Sequence, residues 1–146
     1  MKLCKGNIWS IYDETDLFLF TSNSMLKANG ALVMGAGIAE EVRDNFPGID
    51  LAIGNYITAN NYIGRKYGLI LSPHGHKIGA FQTKIDWRHK STLALIQYST
   101  DMLHDIAYQY KRIDMTLPGC ANGGLTLEKV LPIIQQLPDN INIWTR

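Results

Sequence analysis

Twice in this chain a glycine-rich stretch stands where an apolar run gives way to a helical pattern. In the first instance the apolar run 17–20 leads to Asn23, and Gly35 and Gly37 come just before helical spacing begins. The first turn of a helix has backbone N–H groups without intrahelical partners, at the positive end of the helix dipole. A strand-to-helix junction of this kind can bind an anion, especially a phosphate.

The second glycine-rich stretch, residues 118–124, follows the apolar run 113–117 and precedes a helical pattern that begins at Thr126. Ligands of open α/β sheets bind at the carboxyl ends of strands. Two such loops in one small chain therefore predict a shared cleft for one phosphorylated ligand. Taken singly, each loop is equally consistent with a tight connection that binds nothing.

Strands alternate with helices along the chain, which predicts a three-layer α/β/α fold with a mixed central sheet. Residues 73–76 are expected to form a turn between two antiparallel strands, and Ser91 to cap the third helix. The predicted strands are residues 3–12, 17–21, 68–72, 77–83, 113–117 and 141–144, and the predicted helices are residues 36–45, 49–60, 91–110 and 126–137.

Length and composition indicate one domain over residues 1–146, with 46% hydrophobic and 18% charged residues. The net charge of +1 gives little electrostatic reason to expect strong non-specific binding to nucleic acid. The two cysteines are far apart and match no metal-binding spacing, and no apolar run is long enough to span a bilayer. We expect a cytoplasmic monomer with free thiols, no metal, no cofactor and no membrane association.

Several motifs, in this order and at these intervals, resemble those of the macro domains, which bind ADP-ribose and in many members hydrolyse its conjugates. The motifs are Gly-Asn-Ile at 6–8, Met-Gly-Ala-Gly-Ile-Ala at 34–39, Phe-Gln-Thr-Lys at 81–84 followed by Trp87-Arg88, and Pro-Gly-Cys-Ala-Asn-Gly-Gly-Leu at 118–125. The similarity is greatest to the branch that contains the terminal ADP-ribose protein glycohydrolase and the antitoxin that removes ADP-ribose from DNA. The chain also resembles phage-borne proteins of this general kind.

This resemblance implies a ligand site for ADP-ribose. Asp16 would bind the adenine amine, although an acid here also suits a turn. Asn23 would face the distal ribose and take part in the chemistry, although it too suits a turn. The two loops would enclose the distal ribose and the diphosphate through Gly35, Ala36, Gly37 and Ile38 on one side and Gly119, Cys120, Ala121, Asn122, Gly123 and Gly124 on the other.

Lys84 is the principal catalytic candidate, because the resemblance matches it to the lysine that the glycohydrolase branch uses. An amine attacks an anomeric carbon only when it is unprotonated, so burial or a nearby cation would have to lower its pKa. A protonated Lys84 would instead stabilise the leaving group. Alternatively, Lys84 is an ordinary solvent-exposed lysine at a strand end and has no catalytic role.

Two features depart from the glycohydrolase pattern. Gly123 stands where the human glycohydrolase type has an aspartate that works with its lysine, whereas the DNA-directed antitoxin type has Asn-Gly-Gly-Leu, as this chain does. Residues 25–33 also lengthen the first loop, which would allow a flap over the distal ribose or contacts with the attached group.

Other candidates have plainer explanations. Cys120 has no identifiable base and suits a packed thiol better than a nucleophile. Asp86 would act as a base or hold the lysine ammonium, but it also suits a solvated turn. His74 and His76 lack a third metal ligand. The segment 87–90 adds positive charge that would steer an anionic substrate.

The sequence thus predicts an ADP-ribosyl hydrolase that acts on a modified macromolecule through Lys84, with nucleic acid involved only as modified substrate. Three alternatives remain: a phosphatase of ADP-ribose 1''-phosphate, a non-catalytic protein that reads or sequesters ADP-ribose, and a nucleotide-binding α/β domain with another ligand.

Overall fold

A computed structural model describes residues 1–71, 73 and 75–146. Its six-stranded sheet has the order β1-β6-β5-β2-β4-β3, and all neighbouring strands are parallel except the antiparallel pair β3 and β4. The strands are β1 (Lys2–Lys5), β2 (Leu17–Ser22), β3 (Leu69–Leu71), β4 (Ile78–Gln82), β5 (Ile113–Thr116) and β6 (Ile141–Thr145). The α-helices are α1 (Gly37–Asn45), α2 (Ile49–Asn60), α3 (Leu93–Ile106) and α4 (Leu127–Ile134).

The central strand β2 explains why the chain forms three layers. Its side chains alternate between two hydrophobic cores, so that Phe18 and Phe20 join one core and Leu17 and Leu19 the other. Helices α1 and α2 cover the first core, and α3 and α4 cover the second. The predicted α/β/α fold with a mixed sheet is confirmed.

The predicted strand over residues 3–12 is wrong in its second half. The strand β1 ends at Lys5, and Ile8–Ile11 form a 3-10 helix whose first turn is capped by the side chain of Asn7. The short apolar pattern of Ile8, Trp9 and Ile11 is also compatible with a tight helix, and here tertiary packing decides: Trp9 stacks on Phe18, with ring centroids 4.6 Å apart.

Several other boundaries differ from the predicted ones by a few residues. Thr92, not Ser91, caps α3, because the Thr92 hydroxyl accepts a hydrogen bond from the N–H of Leu95. Helix α4 is shorter than predicted and contains Pro132. The predicted turn at 73–76 lies partly outside the described residues, since His74 is among those not described. In the part of the chain that is described, no helix is both long and apolar enough to cross a bilayer.

Candidate functional site

A cavity of about 630 Å³ opens at the carboxyl ends of four parallel strands, β2, β4, β5 and β6. Parallel strands that end side by side at one edge bring distant segments of the chain together there. The lining consists of the strand ends 21–23, 83–84, 116–117 and 144–146, the loops 33–39 and 119–123, and Glu41, Trp87 and Ser91.

The first glycine loop forms one wall of this cavity. Gly35 and Ala36 lead into α1, which begins at Gly37, and no side chain caps this helix. The backbone N–H groups from Gly35 to Ile38 have no acceptor among the described residues. Gly37 has a φ of +59°, which favours glycine, and it lies close to the opposite loop: a Cβ here would be 3.2 Å from Nδ2 of Asn122.

The second glycine loop forms the facing wall. The N–H groups of Cys120, Ala121, Asn122 and Gly123 also lack an acceptor within the described part of the chain. Each loop thus has four backbone donors without an acceptor among the described residues, and all eight belong to residues that line the cavity. Gly124 does not line the cavity, and its N–H donates to the carbonyl of Ala121. A donor-rich wall at a helix N-terminus suits a ligand with several anionic oxygens.

Lys84 follows β4 and lies between the two loops. Its Nζ donates to the carbonyl of Trp87 and to that of Asn122, each at 3.4 Å. Partial burial lowers the pKa of Lys84 below its ordinary value, while the nearby Asp86 carboxylate raises it. The net direction is downward, so this amine loses its proton more readily than one in solution.

Comparison with solved structures gives clear matches over nearly the whole chain. The macrodomain of Thermus aquaticus DarG has a TM-score of 0.73 at 23% identity, covering 98% of this chain and 95% of that one. The macrodomain of Mycobacterium tuberculosis DarG has a TM-score of 0.72 at 25% identity, covering 99% and 97%. The chain has the macrodomain fold.

A third match is Thermosipho africanus DarTG in complex with ADP-ribose, with a TM-score of 0.74 at 18% identity. It covers 98% of this chain but 41% of that protein. Comparisons with protein-family models and with curated proteins gave no match. The resemblance inferred from the sequence motifs is confirmed by these structures, and it is to DarG macrodomains in particular.

Asn23 lines the cavity, but its side-chain amide is already hydrogen-bonded within the protein. Its Nδ2 donates to the carbonyl of Val33 at 3.1 Å, and its Oδ1 accepts from the N–H of Met25 at 2.8 Å. The buried Tyr67 hydroxyl also donates to the Asn23 carbonyl. Asn23 thus closes the base of the 25–33 segment, and one amide hydrogen and one lone pair remain for a ligand.

Asp16 lies away from the cavity, so its position does not support the predicted contact with adenine. It precedes β2, and its carboxylate accepts a hydrogen bond from the N–H of Arg112 at 2.9 Å. Six strand residues, or roughly 20 Å, separate it from the carboxyl end where the cavity opens.

The carboxylate that does line the cavity belongs to Glu41, on α1, and it pairs with Arg146 at 2.6 Å. Neither residue was identified from the sequence. Arg146 immediately follows β6, so the rule that sites gather at the carboxyl ends of parallel strands would have found it if the strand had been given its full length.

Gly123 is a position where the structure leaves no room for a side chain. A Cβ there would lie 2.6 Å from the carbonyl oxygen of Gly119, and it would also collide with Oγ of Ser91. The loop as folded therefore cannot carry the aspartate of the human glycohydrolase type.

The 25–33 segment packs closely against α2 and is not an open flap. The N–H of Leu32 donates to the Asp50 carbonyl, and both Ala31 and Leu32 are buried. Gly54 of α2 permits this approach, because a Cβ there would collide with the carbonyl of Gly30. The insertion contributes Val33 to the cavity lining and fixes the approach to the first glycine loop.

The other residues considered from the sequence, Asp86, Cys120, His76 and Trp87, have the following contacts in the structure. Asp86 forms an ion pair with Arg88 at 2.6 Å, and the hydrogen bonds from Arg88 hold the pKa of Asp86 well below its usual range. Cys120 lines the cavity, but burial raises the pKa of its thiol, which disfavours the reactive thiolate. The His76 ring packs against Phe46. Trp87, about half exposed, stands at the cavity rim.

Proposed function

We propose that this macrodomain binds ADP-ribose and hydrolyses the bond between the anomeric carbon of its terminal ribose and a macromolecule, with Lys84 as the principal catalytic group. The observation that carries the proposal is the convergence of two donor-rich glycine loops and one partly buried lysine at a single cavity. The similarity to DarTG, whose structure was solved in complex with ADP-ribose, supports the choice of ligand.

The diphosphate is the part of ADP-ribose that the glycine loops suit best. Its charge requires several hydrogen-bond donors, and the N–H groups of residues 35–38 and 120–123 have no acceptor among the described residues. The dipole of α1 adds a favourable field at Gly37. Backbone donors of this kind bind an anion without a cluster of basic side chains, which agrees with the net charge of +1.

Lys84 would act at the terminal ribose as a neutral amine. Its nitrogen attacks the anomeric carbon, the bond to the attached group breaks, and that group leaves with the bonding electrons and the proton lost by the amine. Water then hydrolyses the lysine-ribose adduct, which releases ADP-ribose and restores the amine. The lowered pKa of Lys84 supports this role, since it increases the neutral fraction at a given pH.

The test combines binding with turnover. Calorimetric titration with ADP-ribose is followed by single-turnover assays on ADP-ribosylated DNA, an ADP-ribosyl-glutamate peptide and ADP-ribose 1''-phosphate. We expect Lys84→Ala to bind ADP-ribose and to lose at least about 100-fold in turnover. Lys129→Ala, at an exposed position on α4, is the matched control and should behave as wild type. Unchanged turnover in Lys84→Ala on all three substrates would exclude the mechanism.

A second candidate function is binding of ADP-ribose without catalysis. It is favoured by Gly123, which cannot carry an acid as the loop is folded, and by Asn23, whose amide is already hydrogen-bonded within the protein. Under this alternative wild type binds ADP-ribose and turns over none of the three substrates.

A further inference from the structure

The side chain of Gln82, the last residue of β4, is fully buried and uses its whole hydrogen-bonding capacity. Its Oε1 accepts from the N–H groups of Tyr67 and Gly68, at 2.8 and 2.9 Å. Its Nε2 donates to the carbonyls of Arg65 and Lys84, at 2.8 and 3.3 Å. A side-chain amide has two lone pairs and two N–H bonds, so all of them are used here. The group that holds the Lys84 carbonyl is therefore itself fixed by three other bonds.

The main chain of Gln82 is also held in place, by the sheet edge and by a helix. Its N–H donates to the Gly68 carbonyl, and its carbonyl accepts from the buried Ser99 hydroxyl of α3 at 2.7 Å. Buried polar groups satisfied in this way resist displacement, because a group that loses its partner there gains no water in exchange. Gln82 is therefore a rigid point from which Lys84, two residues later, is held.

A second buried residue holds the chain on the other side of Lys84. The carbonyl of Ile85, the next residue, accepts two hydrogen bonds from Ser24: one from its N–H at 3.0 Å and one from its hydroxyl at 3.2 Å. Ser24 is 2% exposed and directly follows Asn23 at the cavity. The main chain around Lys84 is thus bonded on both sides to buried residues, whereas the lysine side chain is only partly buried.

The contacts of the lysine nitrogen itself are long. Its Nζ donates to the carbonyls of Trp87 and Asn122 at 3.4 Å each, whereas charge-assisted hydrogen bonds are usually shorter than 3 Å. Both carbonyls belong to loops, outside the helices and strands. Lysine has a flexible four-carbon stem, so such contacts alone do not fix the nitrogen. Its place therefore depends on where the main chain at residue 84 is held.

We propose that Gln82 and Ser24 are positioning residues for Lys84, which hold its main chain from both sides so that the amine stays between the two glycine loops. The inference rests on the proposed function, in which this amine must reach the anomeric carbon. A displacement of about 1 Å can cost about 100-fold in rate, whereas the backbone donors proposed to bind the diphosphate lie in other segments. Loss of either residue should therefore lower turnover and leave affinity nearly unchanged.

The experiment measures ADP-ribose affinity by calorimetric titration, and the single-turnover rate at saturating substrate, in Gln82→Met and Ser24→Ala. Methionine has nearly the length of glutamine and removes all four side-chain hydrogen bonds, whereas alanine removes only the hydroxyl bond. We expect affinities within about threefold of wild type, and rates lower by at least about tenfold in Gln82→Met and about fivefold in Ser24→Ala.

A second measurement follows Lys84 itself and requires no turnover. In protein labelled with isotope-enriched lysine, the NMR resonance of this residue is the one that is absent from Lys84→Ala, and its pH titration gives the pKa. Partial burial lowers the pKa of Lys84 in wild type, and the carboxylate of Asp86, which is paired with Arg88, opposes this. A Lys84 released toward solvent should have a pKa closer to its ordinary value.

Two matched controls remove the same kinds of bond outside the cavity lining. Asn140→Leu removes an amide whose Nδ2 donates to two main-chain carbonyls, as that of Gln82 does. Thr15→Val removes a buried hydroxyl that donates to the Leu17 carbonyl. Each of these residues lies just before a parallel strand, at the edge of the sheet opposite the cavity. Both controls should keep wild-type affinity, turnover and titration of Lys84.

Wild-type turnover and a wild-type titration of Lys84 in a folded test variant would overturn the role of the residue replaced. Affinity and turnover that fall together, in the controls as in the test variants, would overturn it too, because they would indicate general destabilisation. If Gln82→Met does not fold, Ser24→Ala decides. If wild type binds ADP-ribose without turnover, the proposed catalysis fails, and the titration of Lys84 alone decides whether the two residues position it.

Discussion

The local environment of Lys84 predicts how the single-turnover rate depends on pH. Burial lowers the pKa of its ammonium and the Asp86 carboxylate partly opposes this. If the neutral amine attacks the ribose, the fraction of active enzyme increases with pH until the lowered pKa is passed. We therefore expect the single-turnover rate to rise about tenfold per pH unit below that pKa and to level off above it.

The same pH series distinguishes the two possible roles of the lysine. A lysine that stabilises the leaving group as a cation would give a rate that falls over this pH range. Asp86→Asn removes the charge that raises the Lys84 pKa, so the rising limb should move to lower pH. A profile that declines with pH would contradict attack by the neutral amine.

The atoms around Gly123 leave no room for a side chain at this position. The substitution Gly123→Asp, which introduces the aspartate of the human glycohydrolase type, places a Cβ against Ser91 and against the Gly119 carbonyl. We expect a loss of about 1–3 kcal/mol in unfolding free energy, as for other overpacked sites, together with weaker ADP-ribose binding. Denaturant unfolding and calorimetric titration measure the two effects.

Gly35→Ala is the control for that substitution, because no atom lies within 4 Å of a Cβ at position 35. It should change the unfolding free energy by no more than about 0.5 kcal/mol. Equal stability of Gly123→Asp and Gly35→Ala would mean that the second loop readily adopts another conformation.

At the scale of elements, α2 and the 25–33 segment are packed through one glycine. In an exposed helix, replacing glycine by alanine stabilises by up to about 1 kcal/mol. Here a Cβ at Gly54 would collide with the Gly30 carbonyl, so Gly54→Ala should destabilise by about 1–3 kcal/mol in denaturant unfolding. Thr58→Ala, at an exposed position on the same helix, should be neutral or slightly stabilising. A stabilised Gly54→Ala would indicate that the segment moves freely.

These elements also mark the limits of prediction from sequence. The helix over residues 49–60 was predicted with the bounds that the structure has, because a continuous apolar pattern and the preceding Pro47-Gly48 delimit it. The strand over 3–12 was overextended, because alternation over a few residues does not distinguish a strand from a 3-10 helix that packs on one face. The insertion lacked periodicity, so its packing on α2 was not predictable.

At the scale of the whole molecule, the cavity draws on four strands and two loops that are distant in sequence. A ligand bound there would stabilise the native state against unfolding of the entire chain, if residues 1–146 unfold as one domain. At 100 times its dissociation constant, ADP-ribose should add about 2.7 kcal/mol, which corresponds to roughly 5–10 °C in Tm for a chain of this size.

Thermal unfolding with ATP or NAD at the same concentration tests the specificity of that effect. A macrodomain selective for ADP-ribose should show a smaller shift with either nucleotide. Equal shifts with all three would favour the nucleotide-binding domain with another ligand. Two separate transitions would contradict the expectation of one domain.

The features that can be predicted from the sequence are local: the central strand, the two glycine loops, the helices that follow them, and a lysine in a motif context that resembles the macro domains. Short-range rules govern these features, since glycine permits positive φ, apolar periodicity selects strand or helix, and unsatisfied N–H groups attract anions. The candidate loops and Lys84 do meet at one cavity.

The set of polar residues that line this cavity depends on the three-dimensional packing of the chain. This packing places Asp16 outside the cavity lining, brings in Glu41 and Arg146, and fills the space at Gly123 with a serine hydroxyl. The physical reason is that burial and hydrogen-bond satisfaction depend on neighbours far away in sequence. A sheet of parallel strands brings their carboxyl ends together and leaves Asp16, at the amino end, on the opposite edge.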